Sequence, residues 1–298
     1  MSAPRIFDAA LARARLQRAL RLHAPGADFL LRRAAEDFVE RLALVKREFG
    51  VAVDVATPGP HAVEALRGDR RVGFVGWAAP VLPGADGGAG AVFVGEPDRL
   101  ALAPQSCELI VSLLALQSVN DLPGALIQIR QALKPDGLFL ACLSGGDTLF
   151  ELRQSLTAGE AEILAGAAPR VAPFADVRAL GGLLQRAGFA LPVVDLDRIV
   201  VRYDDIVALM RDLRAMGATN VLVARSRRPL RRDVLARAGQ IYGERFADPD
   251  GRLRATFDLV WLSGWAPHES QQKPLRPGSA RARLEDAVKS VRGGQRSE

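Results

Sequence analysis

Apolar positions along this chain follow two rhythms, and the change between them falls near residue 50. Leu31, Ala35, Phe38, Leu42 and Val45 recur every three or four places, with Arg32, Arg33, Glu36, Asp37 and Glu40 between them. That spacing predicts an amphipathic helix with one face packed. Residues 5–48 as a whole read as helical, broken at Pro25–Gly26, with Asp28 as the N-cap of the second part. From residue 51 short apolar runs alternate with helical stretches. Strands are predicted at Val51–Val55, Val72–Val75, Ala91–Val94, Leu109–Leu114 and Leu138–Leu143. His61–Arg67 reads as a short helix and Pro80–Gly90 as a Pro/Gly-rich loop. Asn120–Asp121 opens a helix with Pro123 in its first turn and Leu122, Leu126, Ile129 and Leu133 on one face. Lys134–Pro135–Asp136–Gly137 predicts a type I turn. Helices follow near Thr148–Leu156, Asp176–Ala187 (stopped by Gly188), Asp204–Met216 and Asp233–Phe246. Two β-like stretches lie in Pro192–Tyr203, and a late strand spans Leu253–Leu262. Near-continuous apolar strands alternating with helices predict an α/β fold whose mostly parallel sheet is covered on both faces.

Composition narrows the function classes. With 298 residues, 49% of them hydrophobic, the chain can bury a large core and is not generally disordered. The net charge of +6 and a pI near 10.0 come almost wholly from arginine, since the lysines are Lys46, Lys134, Lys273 and Lys289. Those arginines are interleaved with acids and alanines and lack a dense basic stripe with aromatic residues between, so no nucleic-acid partner is expected. Cys107 and Cys142 sit in apolar runs and read as buried thiols; no Cys/His cluster at metal spacing exists, and no metal is expected. No apolar run reaches the roughly 18 residues of a membrane span, and the basic N-terminus lacks a secretory core, so a cytoplasmic protein is expected. The expected organisation is a helical segment over 1–48, a main domain over 49–270 with helical insertions after the fifth strand, and a poorly packed tail over 271–298.

Two stretches carry a resemblance. Ser112–Leu113–Leu114–Ala115–Leu116–Gln117–Ser118–Val119–Asn120–Asp121–Leu122–Pro123, followed by Leu133–Lys134–Pro135–Asp136–Gly137, resembles the fourth- to fifth-strand unit of class I S-adenosylmethionine-dependent methyltransferases. Gly145–Gly146–Asp147–Thr148–Leu149–Phe150–Glu151–Leu152–Arg153 resembles, more narrowly, a methyltransferase-like family of mitochondrial complex I assembly factors and their bacterial relatives. So do Pro173–Phe174, Leu209–Met210–Arg211–Asp212–Leu213, Met216–Gly217 and Gly264–Trp265 with His268–Glu269–Ser270–Gln271. The likeness runs from about Ile6 to Ala280. It implies a Rossmann-like fold with a mostly parallel seven-stranded sheet, S-adenosylmethionine as cofactor, and a protein partner such as a complex I subunit. In the mitochondrial family the reported activity is hydroxylation of an arginine in such a subunit. The N-terminal helical segment and the insertions after the fifth strand would then form a lid or partner face.

Three departures fall on the cofactor side. The superfamily carries an acid followed by three alternating glycines at the end of its first strand; here Asp54 is followed by Ala56, Pro58 and Pro60 in the glycine places. Proline fixes φ and has no N–H to donate, so the usual cradle is obstructed. The acid expected after the second strand is replaced by Gly76–Trp77, and a His-Trp pair of the relatives is Gln117–Ser118 here.

The resemblance makes Asp54, Ala56, Pro58, Glu96, Ser112 and Leu113 the cofactor-binding candidates, and Gln117, Asn120, Gly146, Arg153 and Trp265 the candidates for substrate or partner. Each also has an ordinary reading. Asp54 is a strand-end acid suited to a turn, Glu96–Pro97–Asp98 a polar turn, and Arg153 a solvent-facing cation. Asp147 and His268 are the weak catalytic candidates, although Asp147 suits a helix N-cap and His268 a structural hydrogen bond. A non-catalytic binding protein on the same scaffold is the alternative function.

Overall fold

A computed structural model describes residues 5–81 and 91–272. Most of the expected 80–90 loop and the tail beyond Gln272 lie outside the described residues. The chain runs α1 (Ala9–Leu22), α2 (Phe29–Ala43), β1 (Phe49–Val55), α3 (His61–Gly68), β2 (Val72–Ala79), β3 (Ala91–Val94) and β4 (Cys107–Leu113). After a short 3-10 turn come α4 (Leu122–Ala132), β5 (Leu133–Gly145), α5 (Phe150–Leu164), α6 (Val177–Arg186) and β6 (Ala190–Tyr203). It closes with α7 (Ile206–Ala215), α8 (Arg232–Phe246) and β7 (Leu253–Trp265). All of these belong to one unit ending at Pro267; His268–Gln272 belong to a second unit and are described by themselves.

The seven strands lie in the order β3-β2-β1-β4-β5-β7-β6. Neighbours from β3 to β5 pair in parallel, and β7 runs antiparallel between β5 and β6. Alternate residues of each buried strand feed opposite faces, as a pleated sheet requires. Leu109, Val111 and Leu113 of β4, with Leu138, Leu140 and Cys142 of β5, pack under the α2 stripe of Leu31, Ala35, Phe38 and Leu42. Ile110, Phe139, Ala141 and Leu143 face the other way, against Leu126 and Ile129 of α4 and Leu180 and Leu184 of α6. A third core joins Leu152 and Leu156 of α5, Leu209 and Leu213 of α7 and Tyr242 of α8 to Ala255 and Phe257 of β7.

Several local expectations change. Asp136 has φ +61, which excludes a type I turn because that turn holds its third residue near φ −90°. β2 continues to Ala79, so Gly76–Trp77 lies inside the strand, paired with Val53–Asp54, rather than beyond its end. β6 is one strand, not two, and β7 extends to Trp265. Asp28 precedes α2 without capping it: its carboxylate is drawn to Arg32 at 2.7 Å and to His61 Nε2 at 2.9 Å. Asp147 does not cap α5 either. That helix opens after Leu149, held in left-handed backbone at φ +55, and the Asp147 carboxylate turns to Arg198.

Candidate functional site

In an open parallel sheet ligands gather beyond the carboxyl ends of the strands, where the strand order reverses. Here the reversal lies between β1 and β4. The candidates sort along that edge into two groups.

The first group surrounds the end of β1. Asp54 is wholly buried, and its Oδ1 accepts a 2.5 Å hydrogen bond from the Thr57 hydroxyl. Thr57 Oγ1 in turn accepts the Leu113 amide at 2.9 Å, and the Ser112 hydroxyl donates to the Val55 carbonyl at 2.7 Å. The polar groups of Ser112 and Leu113 are therefore engaged inside the protein. Burial pushes the Asp54 carboxyl up to about 8, against the weaker pull of its Thr57 hydrogen bonds. At neutral pH it is predominantly a neutral acid, and its Oδ2 has no partner. Ala56 takes φ +62, left-handed backbone of the kind that favours glycine, while its amide bonds the Ala78 carbonyl at 2.9 Å. Pro58 and Pro60 offer no N–H, and Pro60 sits at the head of α3. Glu96 lies past β3 with its carboxylate ion-paired to Arg13 of α1.

The second group stands where β5, β6 and β7 meet. Gly145 is paired with Asp258, so this corner shares the carboxyl-terminal edge. The Asp258 side chain is almost fully buried and accepts Arg198 Nε at 2.7 Å, Arg198 Nη2 at 2.9 Å and the Asp147 amide at 2.9 Å. Asp147 adds a 2.8 Å contact to the same guanidinium. The hydrogen bonds that Arg198 donates to these two carboxylates, Asp258 foremost, make it hold its proton more tightly than usual. Gly146 has φ +51, and a Cβ there would lie 2.6 Å from Asp258 Oδ2, so no side chain fits. Thr148 Oγ1 donates to the Gly145 carbonyl at 2.7 Å and accepts the Asp258 amide at 3.0 Å. Arg153 reaches the carbonyls of Thr148 (3.4 Å) and Ala172 (3.1 Å), and its Nε is buried without a partner.

The remaining candidates stand apart from both groups or join other contacts. Gln117 Nε2 donates to the Leu114 carbonyl at 2.8 Å, leaving its buried Oε1 unpartnered. Asn120 holds the N-terminal segment: its Oδ1 accepts the amides of Ile6 (2.9 Å) and Phe7 (2.8 Å), and its Nδ2 donates to the Phe7 carbonyl at 3.0 Å. Trp265 pairs with Leu138 near the start of β5, at the opposite end of the sheet, with Arg47 5.9 Å from its ring centre. His268, in the second unit, has Nδ1 2.7 Å from the Ser270 hydroxyl. Asp258 and Arg198 were not singled out from sequence. Asp258 was the visible signal, a lone acid within the apolar run Leu253–Leu262. Among the described residues no group of three or more His, Cys, Asp or Glu could hold a metal, and no helix is long and apolar enough to cross a membrane.

The strand order, with β7 as the antiparallel member, and the acid-ended β1 define the class of protein, and comparison agrees. A family described as a methyltransferase domain matches residues 28–192. The fold is shared with the YcgJ protein of Bacillus subtilis at a TM-score of 0.53 and 12% identity, covering 79% of this chain and 99% of that one. The chain belongs to the class I S-adenosylmethionine methyltransferase superfamily.

Nearer relatives are particular. The mitochondrial arginine-hydroxylase NDUFAF5 of Danio rerio is 37% identical over 267 residues, covering 88% of this chain and 83% of that protein. The human protein of the same name is 43% identical over 185 residues, covering 62% of this chain and about half, 53%, of its own length. A malonyl-[acyl-carrier protein] O-methyltransferase of Xylella fastidiosa is 38% identical over 177 residues, covering 59% of this chain and 58% of that protein.

The superfamily's cofactor needs backbone donors and close approach at the end of the first strand, and a carboxylate for its ribose. The residues present do not fit it in that manner. Asp54 is sealed behind Thr57, two of the glycine places lack an N–H, Glu96 is engaged by Arg13, and β2 ends at Ala79 with no acid in the strand. What persists of the glycine loop is the left-handed backbone at Ala56.

Proposed function

We propose that this chain is a methyltransferase-like assembly factor for respiratory complex I, acting on a protein partner without ordinary methyl transfer from S-adenosylmethionine. One observation carries the reading. The Gly145–Arg153 segment shared with the assembly-factor family is built into an ion-paired corner at the ligand edge, whereas the β1 loop has lost the donors a cofactor would use. Arg153, half-buried beside that corner, bonds two carbonyls and no carboxylate, which leaves its charge for an acidic group of a partner.

The experiment is deletion of the gene, with complex I followed on native gels and its subunits by mass spectrometry. The expected result is a loss of assembled complex, restored by the wild-type chain and poorly by Arg153→Ala. Normal assembly after deletion contradicts the proposal. An arginine mass increase of one oxygen that disappears on deletion would assign a modifying role in addition to a holding one. The second reading, S-adenosylmethionine-dependent transfer, is favoured by the methyltransferase-domain match and by Ala56, whose backbone takes a left-handed φ of +62.

A further inference from the structure

β6 ends the strand order, and from Val193 to Tyr203 it pairs with β7 on one side. Alternate backbone N–H and C=O groups along that run therefore point away from the sheet. Among the described residues no hydrogen bond outside the ladder reaches the β6 backbone, save the Leu196 amide, which donates to Asp195 Oδ1 of its own strand at 2.9 Å. Folded proteins blunt such edges with proline, bulges or outward charge. Here Pro192 and the register shift between Ala190 and Val193 guard only the start. The charges farther along are drawn back onto the protein: Asp195 to Arg41 at 2.6 Å, Asp197 to Arg33 at 3.6 Å, Arg198 to Asp258 at 2.7 Å and Arg202 to Asp250 at 3.1 Å. Val193, Leu196 and Val200 are left exposed between them.

We infer that the edge of β6 from Val193 to Tyr203 docks an extended segment of a partner protein, alternately aliphatic and acidic, as an eighth strand of the sheet. The two faces of the edge define that chemistry. Toward α2 lies a groove of about 770 Å³, lined by Phe29, Leu30, Ile199 and Val201 with exposed Arg33 and Arg252 beside them. Aliphatic side chains of the added strand enter it. On the opposite face Arg198 and Arg202 stand either side of Val200, each side chain about half exposed, at 47% and 48%. Arg198 Nη1 and Arg202 Nη2 make no hydrogen bond among the described residues, so both guanidiniums keep donors for a carboxylate. Ladder hydrogen bonds hold the segment, and its alternating side chains select it. Such docking stands whether or not the partner is modified, and whether or not a cofactor binds.

The test uses the full chain and a fluorescent peptide of alternating valine and glutamate, read by anisotropy, with hydrogen exchange followed over β6. Two further peptides carry N-methyl groups on alternate amides, one along each edge, which removes the donors of that edge alone. The expectation is that one methylated peptide binds about tenfold or more weakly, since several ladder hydrogen bonds are lost at once, while the other binds as the parent does. Lysine in place of glutamate weakens binding likewise, and the parent peptide slows exchange of the β6 amides that β7 leaves unpaired. Equal binding of both methylated peptides overturns the docking site, as does no binding up to millimolar peptide or protection confined to other strands. Slow exchange of those outer amides in the free chain overturns it too, because a segment of the same chain or a second copy then already covers the edge.

Discussion

The two ends of the ligand edge have been treated differently. At β1 the polar groups are turned inward: Thr57 joins Asp54 to the Leu113 amide, Ser112 bonds Val55, and two prolines remove donors. At the β5–β7 corner, Asp258, Arg198, Asp147 and Thr148 form a connected network in which two carboxylates share one guanidinium, with Arg153 beside it lacking a carboxylate among its hydrogen-bond partners. A scaffold can therefore keep its topology while the polar groups at one strand end are turned inward and those at another form an ion-paired network. The sheet order depends on burial of apolar runs, which proline and alanine in a surface turn leave untouched. Cofactor recognition depends on backbone donors in that same turn, which they remove.

The comparison breaks most readily at the corner. Arg198→Ala leaves the buried Asp258 carboxylate without its cation and is expected to lower stability by about 3 kcal/mol, read by urea unfolding. A loss under about 1 kcal/mol would show that the corner is a surface contact of the ordinary kind. Gly146→Ala follows at roughly 2 kcal/mol, because it combines a positive φ with a clash against Asp258 Oδ2.

The β1 side is sharpened by pH. Asp54 holds its proton up to about 8 in the folded chain and releases it near the ordinary carboxylate value when unfolded. Between those values the folded state binds more protons. Stability should then fall as pH rises from about 4 toward 8, by on the order of 1 kcal/mol per pH unit for this group. Asp54→Asn keeps an acceptor for Thr57 and should flatten that slope in thermal melts; an unchanged slope would place the sensitivity elsewhere. The smallest effect is expected at Ala56. Replacement by glycine relieves left-handed backbone and should stabilise the chain by up to about 1 kcal/mol, offset in part by added freedom in the unfolded state.

Sequence was a good guide where periodicity carries the information. The places of the first five strands, the helix stripe from Leu31 to Leu42 and the residues standing in the glycine places were legible, because each is a local pattern. The corner and the anchoring of the N-terminal segment at Asn120 were not. Arg198 and Asp258 are sixty positions apart, and Asn120 meets Phe7 across 113. Nothing in the neighbourhood of either residue marks its partner. Asp147 looked like a cap because an acid before a helix usually is one; a distant arginine competed for it and won. The resemblance did point to the Gly145–Arg153 stretch, although what gives it shape is an aspartate on another strand.

The most direct measurement is calorimetric titration of the full chain with S-adenosylmethionine and S-adenosylhomocysteine, with thermal shift alongside. The β1 geometry predicts no heat of binding and no shift up to millimolar ligand in a folded protein. Micromolar binding, about −8 kcal/mol, would contradict it and return the chain to the cofactor-using members of its superfamily.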